Sequence, residues 1–228
     1  MGKAAIAQRL IECEDQPVLR DRTELNLYEY LWHRASTTPG RYASNALSIL
    51  TFNYDRSFEE FLRRSLSASH PEFRDKGSAF KAALDGFPML HLYGSLGSLV
   101  ELDPSYLKYG KTDDPPQPAT ILAAADRIKL YHQAKFDAVS LRQIEGVITQ
   151  AETICFLGFG FYPTNIKLLR FCGLGKNRDA RLYASAFGLK RGEQEAAQRA
   201  LPLPIEFASE SDRCLNAVRH FPVLIATE

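Results

Sequence analysis

Two kinds of hydrophobic pattern alternate along the chain. Short runs rich in β-branched and aromatic residues predict strands at 46–52, 87–92, 153–157, 181–187 and 205–207. Apolar residues spaced by three and four predict helices at 2–14, 23–35, from 57 onward, across 119–150 as one or two helices, from about 164, and at 192–201. The proline-rich stretch 111–118, KTDDPPQP, predicts a surface loop, because proline suits neither a helix interior nor a central strand.

The alternation of strands and helices predicts an α/β fold with a mainly parallel sheet that helices cover on both faces. We expect a single domain over residues 1–228, with a helical N-terminal part at 1–45 and an α/β part at 46–228. In such sheets ligands bind beyond the carboxyl ends of the strands. The residues that follow each predicted strand are therefore the candidates for function.

Composition narrows the class of protein. Of the 228 residues 45% are hydrophobic, and 28 Lys and Arg balance 27 Asp and Glu. This balance argues against a nucleic-acid binder with a strongly basic face. No apolar run approaches the roughly 20 residues of a membrane helix, and the first ten residues lack a signal-peptide core, so we expect a cytoplasmic protein without a membrane anchor. The four cysteines are widely separated, which argues against a disulfide framework or a zinc knuckle.

The first candidate motif is TFNYD, at the end of the strand predicted at 46–52. Asn53 and Asp55 are two residues apart, so their side chains point the same way from an extended chain. Together they could hold a carboxamide, a ribose hydroxyl or a water molecule. Asn and Asp also favour strand-to-helix turns, so a purely structural role stays open. Ser57 and Glu60 then form the pattern of a helix capping box.

The second motif, HLYGSLG, ends the strand predicted at 87–92. His91 and Tyr93 would share one face of an extended strand. His91 could act as a general base near neutral pH, or it could be a hydrogen-bonded histidine of the core. Gly94 and Gly97 would allow a tight turn or the close approach of a ligand.

The third motif, GFGFYPTN, follows the strand at 153–157 and precedes a helix. Gly158 and Gly160 at a strand end could present backbone N–H groups to a phosphate. Glycines at such a corner also permit close packing of the strand on the helix. Both interpretations stay open from this motif alone.

The three motifs, in this order, resemble the sirtuin-like NAD-dependent family. The resemblance runs from about residue 47 to the C-terminus and continues through the strand RLYASAFG. The most similar branch is the bacterial sirtuin-like domains, many of which are NAD-hydrolysing modules of defence against phage. The resemblance implies a Rossmann-like sheet with NAD, or an ADP-ribose derivative, as its nucleotide ligand.

The resemblance also implies a role for each matched residue. Asn53 matches the asparagine that orients the attacking water, and His91 would serve as the catalytic base. The implied cofactor-binding residues are Asp55, Tyr93, Gly94, Ser95, Gly158, Phe159, Gly160 and Ser185. Asp55 would hold the nicotinamide carboxamide, and Ser185 would lie near the adenosine ribose. These groups should converge at one cleft.

Three departures from the family modify this expectation. Tyr93 stands where the family has its catalytic histidine, so His91 either substitutes for that histidine or the site has lost its base. Nothing before residue 46 matches the family's opening strand and Gly-rich loop, which predicts an N-terminally truncated member or a loop supplied by a partner chain. The four-cysteine zinc module is also missing, which implies no zinc and favours hydrolysis of NAD over protein deacylation.

Three functions follow as alternatives. The first is an NAD hydrolase that cleaves the nicotinamide–ribose bond, with a role in antiviral defence. The second is a catalytically inactive nucleotide sensor or interaction module, and the third is a truncated structural remnant. A homo-oligomer is compatible with each of them.

Overall fold

The computed structural model describes residues 2–14, 26–34, 46–70, 78–110, 113, 115–130, 138–169, 171 and 179–221. The chain divides into two compact units, Met1–Lys135 (unit 1) and Phe136–Glu228 (unit 2). Each unit combines parallel strands with helices, which confirms the α/β class. A single Rossmann-like sheet and a single domain stay predictions.

Unit 1 contains five helices and two strands in its described part. They are α1 (Gly2–Cys13), α2 (Leu27–Arg34), β1 (Ile49–Thr51), α3 (Ser57–Ser69), α4 (Ser78–Asp85), β2 (Met89–His91) and α5 (Pro118–Arg127). Strands β1 and β2 pair in parallel, with Ile49 opposite Met89 and Thr51 opposite His91. Both strands therefore end at the same edge, where the first two motifs begin.

Helix α3 buries the stripe that its apolar spacing predicts. Phe58, Phe61, Leu62 and Leu66 are all buried, and three of them join a core with Phe87 and Leu99. The partly buried Tyr28, Leu31 and Trp32 of α2 pack against this core, as their common helix face predicts. Each fully buried side chain of this size contributes about 1.5–3 kcal/mol to folding.

Helix α1 packs against α5 through small residues. Ala7, Ala124 and Ala125 are buried in one cluster with Ile11 and Leu96. Alanine leaves room for two helix backbones to approach closely, and it has the highest helix propensity of any residue. This contact fixes the N-terminal helix to the segment that precedes residue 130.

A buried ion pair joins the end of α1 to the start of α3. Arg56 Nη2 lies 2.6 Å from Glu14 Oε2, and both side chains are 1% exposed. Arg56 Nε also donates to Glu14 Oε1 at 3.0 Å, and Nη1 donates to the carbonyl of Leu107. The Gly110 N–H donates to Glu14 Oε2 at 3.2 Å. The pair is thus satisfied on both sides, which is the condition for stable burial of charge.

Unit 2 contains four helices and three strands in its described part. They are α6 (Ala138–Gln150), β3 (Thr153–Phe156), α7 (Pro163–Leu168), β4 (Arg181–Ala184), α8 (Arg191–Ala200), β5 (Ile205–Phe207) and α9 (Cys214–His220). The strands form one parallel sheet in the order β3-β4-β5. The register places Phe156 opposite Ala184 and Ala184 opposite Phe207, so the three carboxyl ends share one edge.

Most of the predicted elements are confirmed, and several details of the prediction were wrong. The helix at 78–85 was not predicted, the strand expected at 181–187 ends at Ala184, and the capping box at Ser57 does not form. Ser57 is the first residue of α3, its hydroxyl pairs with the Tyr109 hydroxyl at 3.1 Å, and Glu60 instead binds Arg63 and Arg64 at 2.6 and 2.7 Å. The Ser57 hydroxyl and the Glu60 carboxylate, which would have formed the capping box, therefore bind other side chains instead.

Candidate functional site

The first motif forms the turn from β1 into α3. The Asn53 N–H donates to Thr51 Oγ1 at 3.1 Å, and Asp55 Oδ1 accepts the N–H of Ser57 at 3.2 Å. Asp55 therefore forms an Asx turn that leads into α3, which is the turn chemistry that these residues favour. Asn53 is exposed, so its carboxamide is accessible at the carboxyl end of β1.

His91 links the two strand ends to α3. Its Nδ1 lies 2.8 Å from the carbonyl oxygen of Asn53, and its Nε2 lies 2.8 Å from Glu59 Oε1. A carbonyl and a carboxylate both accept hydrogen bonds, so the ring donates to both of them only in its protonated form. Burial lowers the pKa of His91, but the hydrogen bond and charge of Glu59 outweigh burial and raise the pKa above its ordinary value.

The sequence left two roles open for His91, and this geometry favours the hydrogen-bonded histidine over the catalytic base. A protonated imidazole with both nitrogens bonded has no lone pair with which to accept a proton. His91 therefore positions the Asn53 backbone against α3. Its assignment as a catalytic base stays a prediction that would require one of these two hydrogen bonds to break.

Glu59 lines a cavity of ≈ 180 Å³ in unit 1. Apolar side chains of α3, α4 and β2 form much of its wall, together with Ser95 and Ser98. Glu59 Oε2 is buried and has no hydrogen-bond partner among the described residues. A cavity of this size with polar groups can hold water, which would satisfy that oxygen.

Tyr93 and Gly94 lie in a tight turn rather than on the strand. Strand β2 ends at His91, and the Gly94 N–H donates to the His91 carbonyl at 3.0 Å. The prediction that His91 and Tyr93 share one strand face was therefore wrong, because the extended chain ends two residues too early. Tyr93 is buried and packs edge to face on Phe52 at 5.6 Å, and burial raises the pKa of its hydroxyl.

The His91 ion pair predicts that unit 1 loses stability as the pH rises. The folded-state pKa lies above the ordinary value of 6.5. The contribution of protonated His91 is therefore complete below that value and is lost as the pH rises through the folded-state pKa. His91→Asn should lower the free energy of unfolding most at about pH 5.5, and its difference from wild type should narrow by about pH 9.

Urea unfolding can measure this difference through the fluorescence of Trp32, the only tryptophan, which lies in unit 1. The matched control is His33→Asn, since His33 is exposed near the end of α2. We expect this control to stay close to wild type at every pH. If His91→Asn lowered the free energy of unfolding by the same amount at every pH, the ion pair between protonated His91 and Glu59 would be contradicted.

In unit 2 the sheet edge carries a pocket of ≈ 420 Å³. Residues that follow β3 and β4 and residues that begin α9 line it together. The sequence-predicted residues in this lining are Gly158, Phe159, Gly160 and Ser185. Its volume falls in the about 300–1,000 Å³ range of small-molecule sites.

A hydrogen bond inside this pocket ties the ends of β3 and β4 together. The Gly158 N–H donates to Ser185 Oγ at 2.8 Å, and Ser185 is 4% exposed. Gly158 has a φ of +62°, which favours glycine. The Gly158 N–H is therefore not available to the anion that the motif predicted, because it already donates to Ser185 Oγ. The Ser185 O–H keeps its own hydrogen to donate to a ligand.

Arg213 is the one charged residue among the five described lining residues that the sequence did not predict. It immediately precedes α9, and its guanidinium carbon lies 5.6 Å from the centre of the Phe187 ring. Phe187 itself is 57% exposed at the pocket. Because Arg213 belongs to no motif, only the fold of the sheet brings it to the residues that follow β3 and β4.

Phenylalanine side chains support the loop after β3. Phe161 has a φ of +54°, a conformation that costs a residue with a side chain about 1–2 kcal/mol. Its ring lies 5.2 Å from Phe156, 4.9 Å from Phe159 and 5.9 Å from Phe207. Aromatic pairs of this kind contribute about 0.5–1.5 kcal/mol each beyond burial, which offsets the backbone strain.

The described residues thus define an α/β protein with a pocket beyond the carboxyl ends of three parallel strands. No family model, curated protein or solved structure matches the chain. Within the described ranges no helix is long and apolar enough to cross a membrane. No group of three or more metal-binding side chains occurs in the same part of the chain.

Proposed function

We propose that this chain is a nucleotide-binding domain of the sirtuin-like, Rossmann-like type, and that unit 2 binds NAD or an ADP-ribose derivative. The observation that carries the proposal is the lining of the unit 2 pocket. Four residues chosen from sequence as nucleotide contacts, from two separate motifs, line the same cavity. That cavity lies at the sheet edge where α/β proteins bind nucleotides.

The chemistry of the pocket supports a nucleotide. Phe159, Phe187 and two leucines offer apolar surface for a base. The Ser185 hydroxyl can donate to a ribose or phosphate oxygen, and Arg213 can pair with phosphate. A ligand with an aromatic base, hydroxyls and negative charge uses all three kinds of group.

Hydrolysis of the nicotinamide–ribose bond is the second candidate. It is favoured by the exposed Asn53 at the carboxyl end of β1. Asn53 would orient the attacking water, and Asp55 would hold the carboxamide of the leaving nicotinamide. The transition state of such a cleavage resembles an oxocarbenium ion, so positioning of the water supplies much of the rate. His91 would hold the Asn53 backbone in place through its bond to the carbonyl.

Titration calorimetry of the full chain with NAD and with ADP-ribose tests the proposal. We expect both ligands to bind, and we expect Ser185→Ala to weaken binding about 3- to 10-fold, which is the loss of one hydrogen bond. The matched control is Ser211→Ala, an exposed serine of unit 2 whose hydroxyl pairs with Ser209. This control should bind as wild type does.

The same samples assayed for nicotinamide separate the two candidates. If the wild-type protein releases nicotinamide and Asn53→Ala does not, hydrolysis is supported. If NAD binds but no nicotinamide is released, a sensor is supported. Equal turnover by Asn53→Ala would remove Asn53 from the mechanism. Absence of binding by both ligands at millimolar concentration would overturn the nucleotide proposal itself.

A further inference from the structure

The described lining of the unit 2 pocket carries a positive charge and no acidic side chain, which is unusual for a site that binds a ribose with free hydroxyls. Among the described residues that line it, Arg213 is the only charged side chain and none is acidic. In nucleotide-binding sheets an acidic side chain accepts hydrogen bonds from the two hydroxyls of the adenosine ribose, and it repels a phosphate there. An arginine instead attracts a phosphate carried by the ribose, and Arg213 lines this pocket with no acidic side chain beside it in the described lining.

The acidic residues nearest in sequence to Arg213 are engaged elsewhere. Glu210 accepts a hydrogen bond from Gln194 Nε2 at 3.0 Å. Asp212 lies 3.4 Å from His220 Nε2. Neither residue lines the pocket. The two groups that could have held a ribose diol from this segment therefore face other partners.

The Arg213 guanidinium lies beside an aromatic ring. Its central carbon is 5.6 Å from the centre of the Phe187 ring, and both residues line the pocket. A cation–π contact of this kind favours a position of the guanidinium over the ring. A guanidinium presented this way forms paired hydrogen bonds to a phosphate.

The backbone at the glycine turn offers less to an anion than the motif suggested. The Gly158 N–H already donates to Ser185 Oγ at 2.8 Å. Arg213 is therefore the main group in the described lining that can balance negative charge. Because a phosphate monoester carries about −1.5 to −2 charges near neutral pH, it gains more from this side chain than a pyrophosphate oxygen does.

We infer that the unit 2 pocket selects an adenine nucleotide whose ribose carries a phosphate monoester, as NADP does, over the nucleotide with a free ribose diol. Arg213 binds the monoester, and Phe187 orients the guanidinium. The inference rests on the proposed nucleotide function and names the class of nucleotide. It makes Arg213 a specificity-determining residue.

The test compares four ligands on the full chain by calorimetry: NAD, NADP, ADP-ribose and 2′-phospho-ADP-ribose. We expect each phosphorylated ligand to bind about tenfold tighter than its counterpart, because the monoester adds a charged hydrogen bond to Arg213, whose exposure to solvent weakens that bond. Arg213→Gln should remove this difference, because it should weaken the binding of the two phosphorylated ligands about tenfold more than that of NAD and ADP-ribose. Arg181→Gln is the matched control, because Arg181 begins β4 at the opposite edge of the sheet and is exposed.

Each outcome decides a different point. Equal affinity for NAD and NADP in wild type overturns the inference and leaves the nucleotide proposal standing. A loss by Arg213→Gln that is the same for all four ligands also overturns it, since Arg213 would then bind the pyrophosphate. No binding by any of the four ligands removes the proposed function as well. A tenfold preference that Arg213→Gln erases and Arg181→Gln keeps supports the inference.

Discussion

Replacing Glu14 with glutamine should lower the free energy of unfolding of unit 1 by about 3–5 kcal/mol, the cost of removing one partner from a buried ion pair. The Arg56 guanidinium would stay buried with its charge uncompensated. The new amide NH₂ would also face the Arg56 and Gly110 N–H groups that now donate to Glu14. Urea unfolding followed by Trp32 fluorescence measures the loss.

The matched control is Glu12, which lies in α1 two residues before Glu14. Glu12 pairs with Arg9 at 3.4 Å, with side chains 27% and 75% exposed. Exposed pairs of this kind contribute about 0–1 kcal/mol, so Glu12→Gln should change the free energy of unfolding little. If Glu14→Gln cost no more than this control, the Glu14–Arg56 pair would not hold unit 1 together.

In the turn after β2, we expect Gly94→Ala to lower the free energy of unfolding more than any other substitution that adds a single methyl group. Gly94 has a φ of +81°, and a Cβ there would meet the Arg127 carbonyl oxygen at 2.1 Å. The left-handed backbone costs about 1–2 kcal/mol for alanine, and overpacking adds about 1–3 kcal/mol. Because the clash is with backbone at the end of α5, no side-chain rotation can relieve it.

Gly188→Ala separates the cost of the left-handed backbone from the cost of the steric clash. Gly188 has a φ of +78°, and nothing lies within 4 Å of a Cβ built there. This control should therefore show only the backbone cost of about 1–2 kcal/mol. Unfolding followed by circular dichroism reports on both variants. A cost for Gly94→Ala no larger than that of Gly188→Ala would refute the close approach of the Arg127 carbonyl.

Much of the fold was predictable because its signals are local. The strand expected at 205–207 is β5 (Ile205–Phe207), and the helical stretch 119–150 contains α5 and α6. Helix α4 was missed because eight residues complete little more than two turns, too few for a clear period. The capping box failed because its two groups found better partners. One of these, Tyr109, is far away in sequence.

The candidate sites were predictable only in part. The first motif placed Asn53 beyond the end of a strand, where the fold has it. Ser185 was predicted inside a strand at 181–187, but β4 ends at Ala184 and Ser185 follows it. The raised pKa of His91 depends on Glu59, which lies 32 residues away in sequence, so the motif alone could not reveal it. Arg213 likewise reaches the pocket only through the pairing of three strands. The assignment of these residues to NAD chemistry stays a prediction.

The left-handed backbone of Phe161 also bears on how fast a ligand could be captured. Its ring is fixed among other phenylalanines, so the wall formed by the loop after β3 exists before any ligand arrives. A wall that is already shaped gives up little conformational entropy on association. Capture would then be limited by diffusion and orientation rather than by a slow rearrangement of this loop.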